Sequence, residues 1–146
     1  MKTFNFLNYK IFNDKLNNIV LSKKTVINTI NPHSYCMLKN DKLFHKSLIE
    51  SDVLLPDGIG IVLASRLLYG KSISKIAGYD IFTFLLNKLN QQKKSVFFLG
   101  SSNDTLKKIK VRISKEYPNI KVSYYSPPYR KKFSEIESFK MCNNVN

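Results

Sequence analysis

The apolar residues of this chain fall in short runs separated by longer stretches of helical period. Phe4 to Phe12 reads as a strand, and Thr25 to Thr29 as a second, stopped by Asn31-Pro32. From Ser34 to Glu50 the period is helical, with Phe44 and Leu48 four apart. Val53-Leu54-Leu55 is a brief buried strand that Pro56 ends, and Gly58 to Leu68 reads as a largely buried helix. Asp80 is placed to cap the next helix, whose Ile81, Leu85 and Leu89 recur at every fourth position. Ser95 to Gly100 is the clearest strand. Ser101 to Asp104 offer N-cap side chains to a helix that turns Leu106, Ile109, Ile113 and Tyr117 inward and Lys107, Lys108, Lys110 and Lys115 outward. Ile120 to Tyr125 is a further strand before Pro127-Pro128, and Phe133 to Cys142 a last helix.

Strands and helices in alternation predict an α/β fold, a mostly parallel sheet with helices on both faces. No repeat, linker or low-complexity segment divides the chain, so residues 1–146 read as a single domain. The last helix should feed another strand, and the domain is therefore expected to be incomplete at its C-terminus.

Composition narrows the class. A chain with 43% hydrophobic and 12% aromatic residues is no disordered tail. No apolar run approaches the ~20 residues that span a bilayer. The first residues lack the features of a secretory signal. Cys36 and Cys142 make no disulfide framework, which favours a reduced, cytoplasmic setting. Charge is the outlier, with 24 Lys and Arg against 10 acids for a net +14. Between Lys107 and Lys132 stand nine basic residues and one acid, Glu116. Such a field attracts nucleic acid, an anionic membrane face or a nucleotide diphosphate, or it is a solvated face with no partner. Phe97, Phe98, Tyr124 and Tyr125 lie in predicted strands, as core rather than as stacking platforms, so nucleic acid is not expected as a partner.

Candidate chemistry concentrates at the ends of apolar runs, where Leu54-Leu55-Pro56-Asp57-Gly58-Ile59-Gly60 and Ile76-Ala77-Gly78-Tyr79-Asp80 each set an acid beside glycine. In doubly wound sheets ligands bind outside the carboxyl ends of strands. Asp57 is either the N-cap of the following helix or a carboxylate facing a ligand, and the two roles are compatible. Gly58-Ile59-Gly60 is not a full dinucleotide fingerprint, because Leu63 stands where the third glycine belongs. Gly70-Lys71-Ser72 misses a phosphate loop, with Ser65 in place of its first glycine. His33, Cys36 and His45 lack the paired spacing of a metal site, and there is no Asp-x-Asp, so no metal is expected.

Read in order, Thr29-Ile30-Asn31-Pro32, Leu55-Pro56-Asp57-Gly58-Ile59-Gly60, Ile76-Ala77-Gly78-Tyr79-Asp80, Phe98-Leu99-Gly100, Tyr117-Pro118 and Pro127-Pro128-Tyr129 resemble the WecG/TagA/CpsF glycosyltransferases over residues 20 to 137. The resemblance implies a Rossmann-like enzyme that transfers N-acetylmannosamine, or a related sugar, from a UDP donor. The implied acceptor is a polyprenyl-diphosphate-linked amino sugar at the inner face of the cytoplasmic membrane. Products of such enzymes feed teichoic acid, common antigen or capsule. Members are inverting and metal-independent, which implies no cofactor, and they self-associate, which implies a homo-oligomer with peripheral membrane contact.

Carried across on the same resemblance, Asp57 is the general base toward the acceptor hydroxyl. Thr29 and Asn31 line its cleft and hydrogen-bond the sugar. Gly58, Gly78 and Gly100 let backbone approach the donor, and Asp80 shapes the pocket by capping its helix. Lys75 stands where the family usually has arginine; it supplies charge without a bidentate fork, to the cost of donor affinity or rate. The family's Gly-x-Pro-Lys-Gln-Glu loop and basic C-terminal segment have no counterpart in this sequence. The alternative expectation is an inactive truncated remnant that at most binds nucleotide.

Overall fold

The computed structural model describes residues 1–21, 24–130 and 132–145. It is α/β, with parallel pairing except at one hairpin, as the alternation of runs predicts. The chain divides into two compact units, Met1–Thr83 and Phe84–Asn146.

The first unit is built on a four-stranded sheet in the order β1-β2-β4-β3. Strands β1 (Thr3–Phe6) and β2 (Tyr9–Phe12) are antiparallel. The segment expected as one strand is thus a hairpin. Its turn residues Leu7 and Asn8 both have positive φ, 47° and 69°, the geometry whose twist suits a two-residue loop. Asn tolerates that conformation; Leu7 does not advertise it, and this hides the turn. Strand β4 (Val53–Pro56) lies between β2 and β3 (Ile27–Ile30), parallel to both. All four of its residues are buried, which is why it reads as a continuous apolar run without alternation.

The expected helix over 34–50 is two helices, α1 (Pro32–Met37) and α2 (Lys42–Ile49). The break comes from a second cap inside the run: the Asp41 carboxylate accepts from the Phe44 N–H at 2.9 Å and starts a new helix. Helix α3 (Ile59–Tyr69) is not largely buried. Ile61 and Ser65 face inward, four apart, while Ile59, Leu63 and Leu67 are 65%, 51% and 82% exposed. An apolar residue at nearly every position masks the period. The small residues Gly60, Ala64 and Ser65 are the better guide to the packed side. The helix ends on Gly70, whose φ of 62° lets its N–H reach the Arg66 carbonyl at 3.0 Å. Phe6, Ile11, Ile30, Leu54 and Ile61 lead the core of this unit.

Helix α4 (Gly78–Gln91) begins in the first unit and ends in the second. The second unit pairs β5 (Ser95–Leu99) with β6 (Lys121–Tyr125) in parallel. Helix α5 (Asn103–Glu116) connects them, and α6 (Glu135–Val145) follows. Leu106 and Ile113 of α5 are buried and its lysines exposed, as the periodicity predicts. Leu86, Ile113 and Ile120 form the core of this unit, with Val96, Phe98 and Val122 packed on it.

Candidate functional site

The first unit gathers most of the predicted site residues at the carboxyl ends of β3 and β4. The parallel register sets Thr29 opposite Leu55 and Ile30 opposite Pro56. The ladder continues one step, because the Asp57 N–H donates to the Ile30 carbonyl at 2.9 Å. Side chains alternate along strands, so Thr29 and Asn31 share a face with Leu55 and, one step beyond the strand, Asp57.

Asn31 is locked by its neighbour. It caps α1 through a reciprocal pair: the Ser34 N–H donates to Asn31 Oδ1 at 2.8 Å, and the Asn31 N–H donates to Ser34 Oγ at 2.8 Å. The Asn31-Pro32-His33-Ser34 spacing carries that signal, although Ser34 is not among the residues expected at the site. One end of the Asn31 amide is thereby fixed, and its Nδ2 donor has no protein partner among the described residues.

Asp57 does not cap α3. The cap position is Gly58, with φ 84° and ψ 151°, and no side chain closes the helix there. The Asp57 carboxylate takes no hydrogen bond or ion pair among the described residues, although the residue is partly buried. A carboxylate in such a place without a protein partner is available to a ligand. Gly58 holds a backbone conformation that a side chain would strain, and it lies against Asn31 and Pro32, 4.0 and 3.8 Å from a Cβ built on it.

The segment after α3 returns to the same corner. The Ile76 N–H donates to the Pro56 carbonyl at 2.8 Å, which anchors Lys75 and Ala77 beside the end of β4. Asp80 is not the cap residue itself but sits in the first turn of α4. From there its Oδ2 accepts the Ala77 N–H at 2.7 Å and closes the turn. Gly78 opens α4, and a Cβ there would meet no atom of another described segment within 4 Å. Lys75 is exposed with no ion pair among the described residues. One corner of the first unit thus holds an unspent carboxylate, an amide donor, a free cation and exposed backbone.

Gly100 lies in the second unit. Its φ is 110°, and its N–H donates to the Tyr125 carbonyl at 3.0 Å. It borders a cavity of about 920 Å³ at the carboxyl ends of β5 and β6, shared with Ser102, Asn103, Pro128, Arg130 and Phe133. Arg130 is held there by Glu137, Nη1 to Oε1 at 2.9 Å. No three of the His, Cys, Asp and Glu side chains gather as metal ligands among the described residues, so His33, Cys36 and His45 are not brought together as a site.

The chain is 43% identical to an N-acetylglucosaminyldiphosphoundecaprenol N-acetyl-beta-D-mannosaminyltransferase of Bacillus subtilis over 104 residues, 71% of the chain and 41% of that protein. It is 36% identical to the protein of the same name from Bacillus spizizenii, over 79% of the chain and 45% of that protein. A Staphylococcus aureus protein of that name is 24% identical over 66% of the chain and 38% of its own length. The chain thus spans less than half the length of these curated relatives. The model of the WecG/TagA/CpsF glycosyl transferase family matches residues 3–146, essentially end to end, and the chain belongs to that family.

Proposed function

We propose that this chain carries the base-bearing part of a glycosyltransferase that moves N-acetylmannosamine from UDP to a polyprenyl-diphosphate-linked N-acetylglucosamine. The observation that carries the reading is the Asp57 carboxylate. It stands at the end of a buried parallel strand, bonded to none of the described residues, with Asn31 on one side and the Lys75 segment on the other. The names of the two Bacillus relatives supply the donor sugar and the acceptor.

In this reading Asp57 accepts the proton of the acceptor hydroxyl as that oxygen attacks the anomeric carbon. The bond from the anomeric carbon to the diphosphate oxygen breaks, and UDP departs with the electron pair. Lys75 meets the charge that develops on the diphosphate. The Asn31 Nδ2 donor and the Thr29 hydroxyl hold the sugar, and Gly58 lets backbone stand close to it. The site needs no divalent cation in this scheme, since cation and backbone amides take the leaving-group charge. A lipid-linked acceptor places the work at the cytoplasmic membrane face, with the chain as a peripheral partner. No helix among the described residues is long and apolar enough to cross a membrane.

The test is UDP release from UDP-N-acetylmannosamine in the presence of a short-chain polyprenyl-diphosphate N-acetylglucosamine. Acceptor-dependent UDP release that disappears in Asp57→Asn supports the assignment. A folded protein that releases no UDP and binds no donor overturns it.

A further inference from the structure

A second polar cavity lies at the other end of the first unit's sheet. Because β2 runs parallel to β4, Tyr9 at the start of β2 sits at the amino end, remote from Asp57, which follows the last residue of β4. The hairpin turn, the end of α1 and the start of α2 border an open cavity of about 330 Å³ there, within the range of small-molecule sites.

Its floor is Tyr9, only 4% exposed. The ring meets Tyr35 edge-on at 6.3 Å between centroids and His45 at 5.7 Å, with interplanar angles of 79° and 77°. Three rings in mutual contact and Leu38 therefore make one apolar wall that a flat body can rest against. The Tyr9 hydroxyl has no hydrogen-bond partner among the described residues. No side-chain oxygen in the described structure is both fully buried and unsatisfied, so this hydroxyl keeps some accessible surface, and Tyr9 is one of the residues that line the cavity. Burial first, and the neighbouring Tyr35 second, push its phenol above the ordinary value.

The charged part of the lining is of one sign. Lys39 and Lys42 border the cavity with no carboxylate among its lining residues. The nearest acid in sequence, Asp41, is committed to capping α2 through the Phe44 N–H. Aromatic walls alone attract cations; two lysines reverse that preference.

The geometry points to a binding site for a small organic anion, a phosphate or carboxylate on a flat apolar body. Its ring lies against the wall that Tyr9, Tyr35 and His45 form, and its anionic group meets Lys39 and Lys42. The site is separate from the proposed donor and acceptor subsites and does not depend on them.

Phenyl phosphate, benzoate and inorganic phosphate, each titrated into the full chain and followed by NMR, form the test. Phenyl phosphate shifts the Tyr9, Tyr35 and His45 ring resonances and binds about tenfold more tightly than inorganic phosphate, because its ring is buried. Benzoate against phenyl phosphate separates carboxylate from phosphate as the group accepted. Lys39→Ala with Lys42→Ala weakens phenyl phosphate about tenfold. Tyr9→Phe, which keeps the ring and the packing, weakens it a few-fold and serves should the double variant fail to fold. Ring resonances that stay fixed up to millimolar phenyl phosphate, or equal affinity for phenyl and inorganic phosphate, overturn the proposal.

Discussion

A Cβ placed on Gly60 would stand 2.5 Å from Cγ of Pro32, closer than carbon atoms pack. Helix α3 therefore rests at Gly60 on the Pro32 ring that opens α1. This contact fixes the spacing between the two chain segments that carry Asn31 and Asp57. Gly60→Ala gains up to about 1 kcal/mol of helix propensity and loses about 1–3 kcal/mol to overpacking, so the net effect is destabilising. Pro32→Ala in the same chain removes the obstructing ring atom. A urea-unfolding double-mutant cycle should return a coupling of about 1 kcal/mol or more between the two positions. Additive effects would show that the contact relaxes at no cost.

Asp57→Asn separates chemistry from folding. The carboxylate is bonded to no described residue, so the amide replaces it without breaking a native interaction and the melting temperature should move little. In the proposed mechanism this removes the base, and turnover should fall by about 10²–10⁴-fold. A variant that retains full turnover removes Asp57 from the mechanism; a variant that unfolds shows that the carboxylate has a structural partner.

Lys75 is read as a cation for the leaving diphosphate, anchored by the neighbouring Ile76 N–H to Pro56 carbonyl bond of 2.8 Å. A charge-assisted hydrogen bond contributes about 1.5–3 kcal/mol, so Lys75→Ala should weaken UDP binding by about tenfold or more. Lys75→Arg restores the charge and adds a planar fork that grips phosphate bidentately, so it should bind UDP at least as well as the parent. Calorimetry with UDP alone decides this, without need of the lipid acceptor. Equal affinities for all three proteins would place Lys75 outside the donor site.

What the sequence discloses about this site depends on how local the cause is. Strand β4 is legible because four buried residues in a row need no partner to be recognised. Helix α5 is legible because Leu106 and Ile113 recur on one face of a chain otherwise lined with lysine. The hairpin at Leu7-Asn8 is not, since its positive φ at leucine is imposed by strand pairing and not by residue preference. The inner face of α3 is obscured for the opposite reason, a surplus of apolar residues with no polar contrast. At the site, the asparagine and aspartate types are readable, but their division of labour is not. Asn31 spends its side-chain carbonyl oxygen on Ser34 while the Asp57 carboxylate bonds to none of the described residues, and only the placement of Gly58 at the cap position decides that. The link from Ile76 to Pro56 is a long-range backbone bond that no residue type announces.

Acid should loosen the N-terminal hairpin through Asp14. The Asn18 side-chain amide, then the Lys15 N–H and the Lys2 N–H, donate to its carboxylate and hold its pKa below the ordinary 3.8. The Lys2 bond, 2.8 Å long, ties the start of β1 to the chain just beyond β2. A carboxylate whose folded pKa is depressed binds its proton more readily when unfolded. Its stabilising effect is therefore present above the unfolded pKa and is lost as pH falls through the folded one. Asp14→Asn should be less stable than the parent at neutral pH, and the two should converge as the medium is taken below the ordinary carboxylate range. Urea midpoints measured from pH 7 to pH 3 follow that convergence. A constant gap across the range would assign the loss to packing or to the hydrogen-bond geometry of the amide. A gap that widens on acidification would mean that folding raises the Asp14 pKa instead of lowering it.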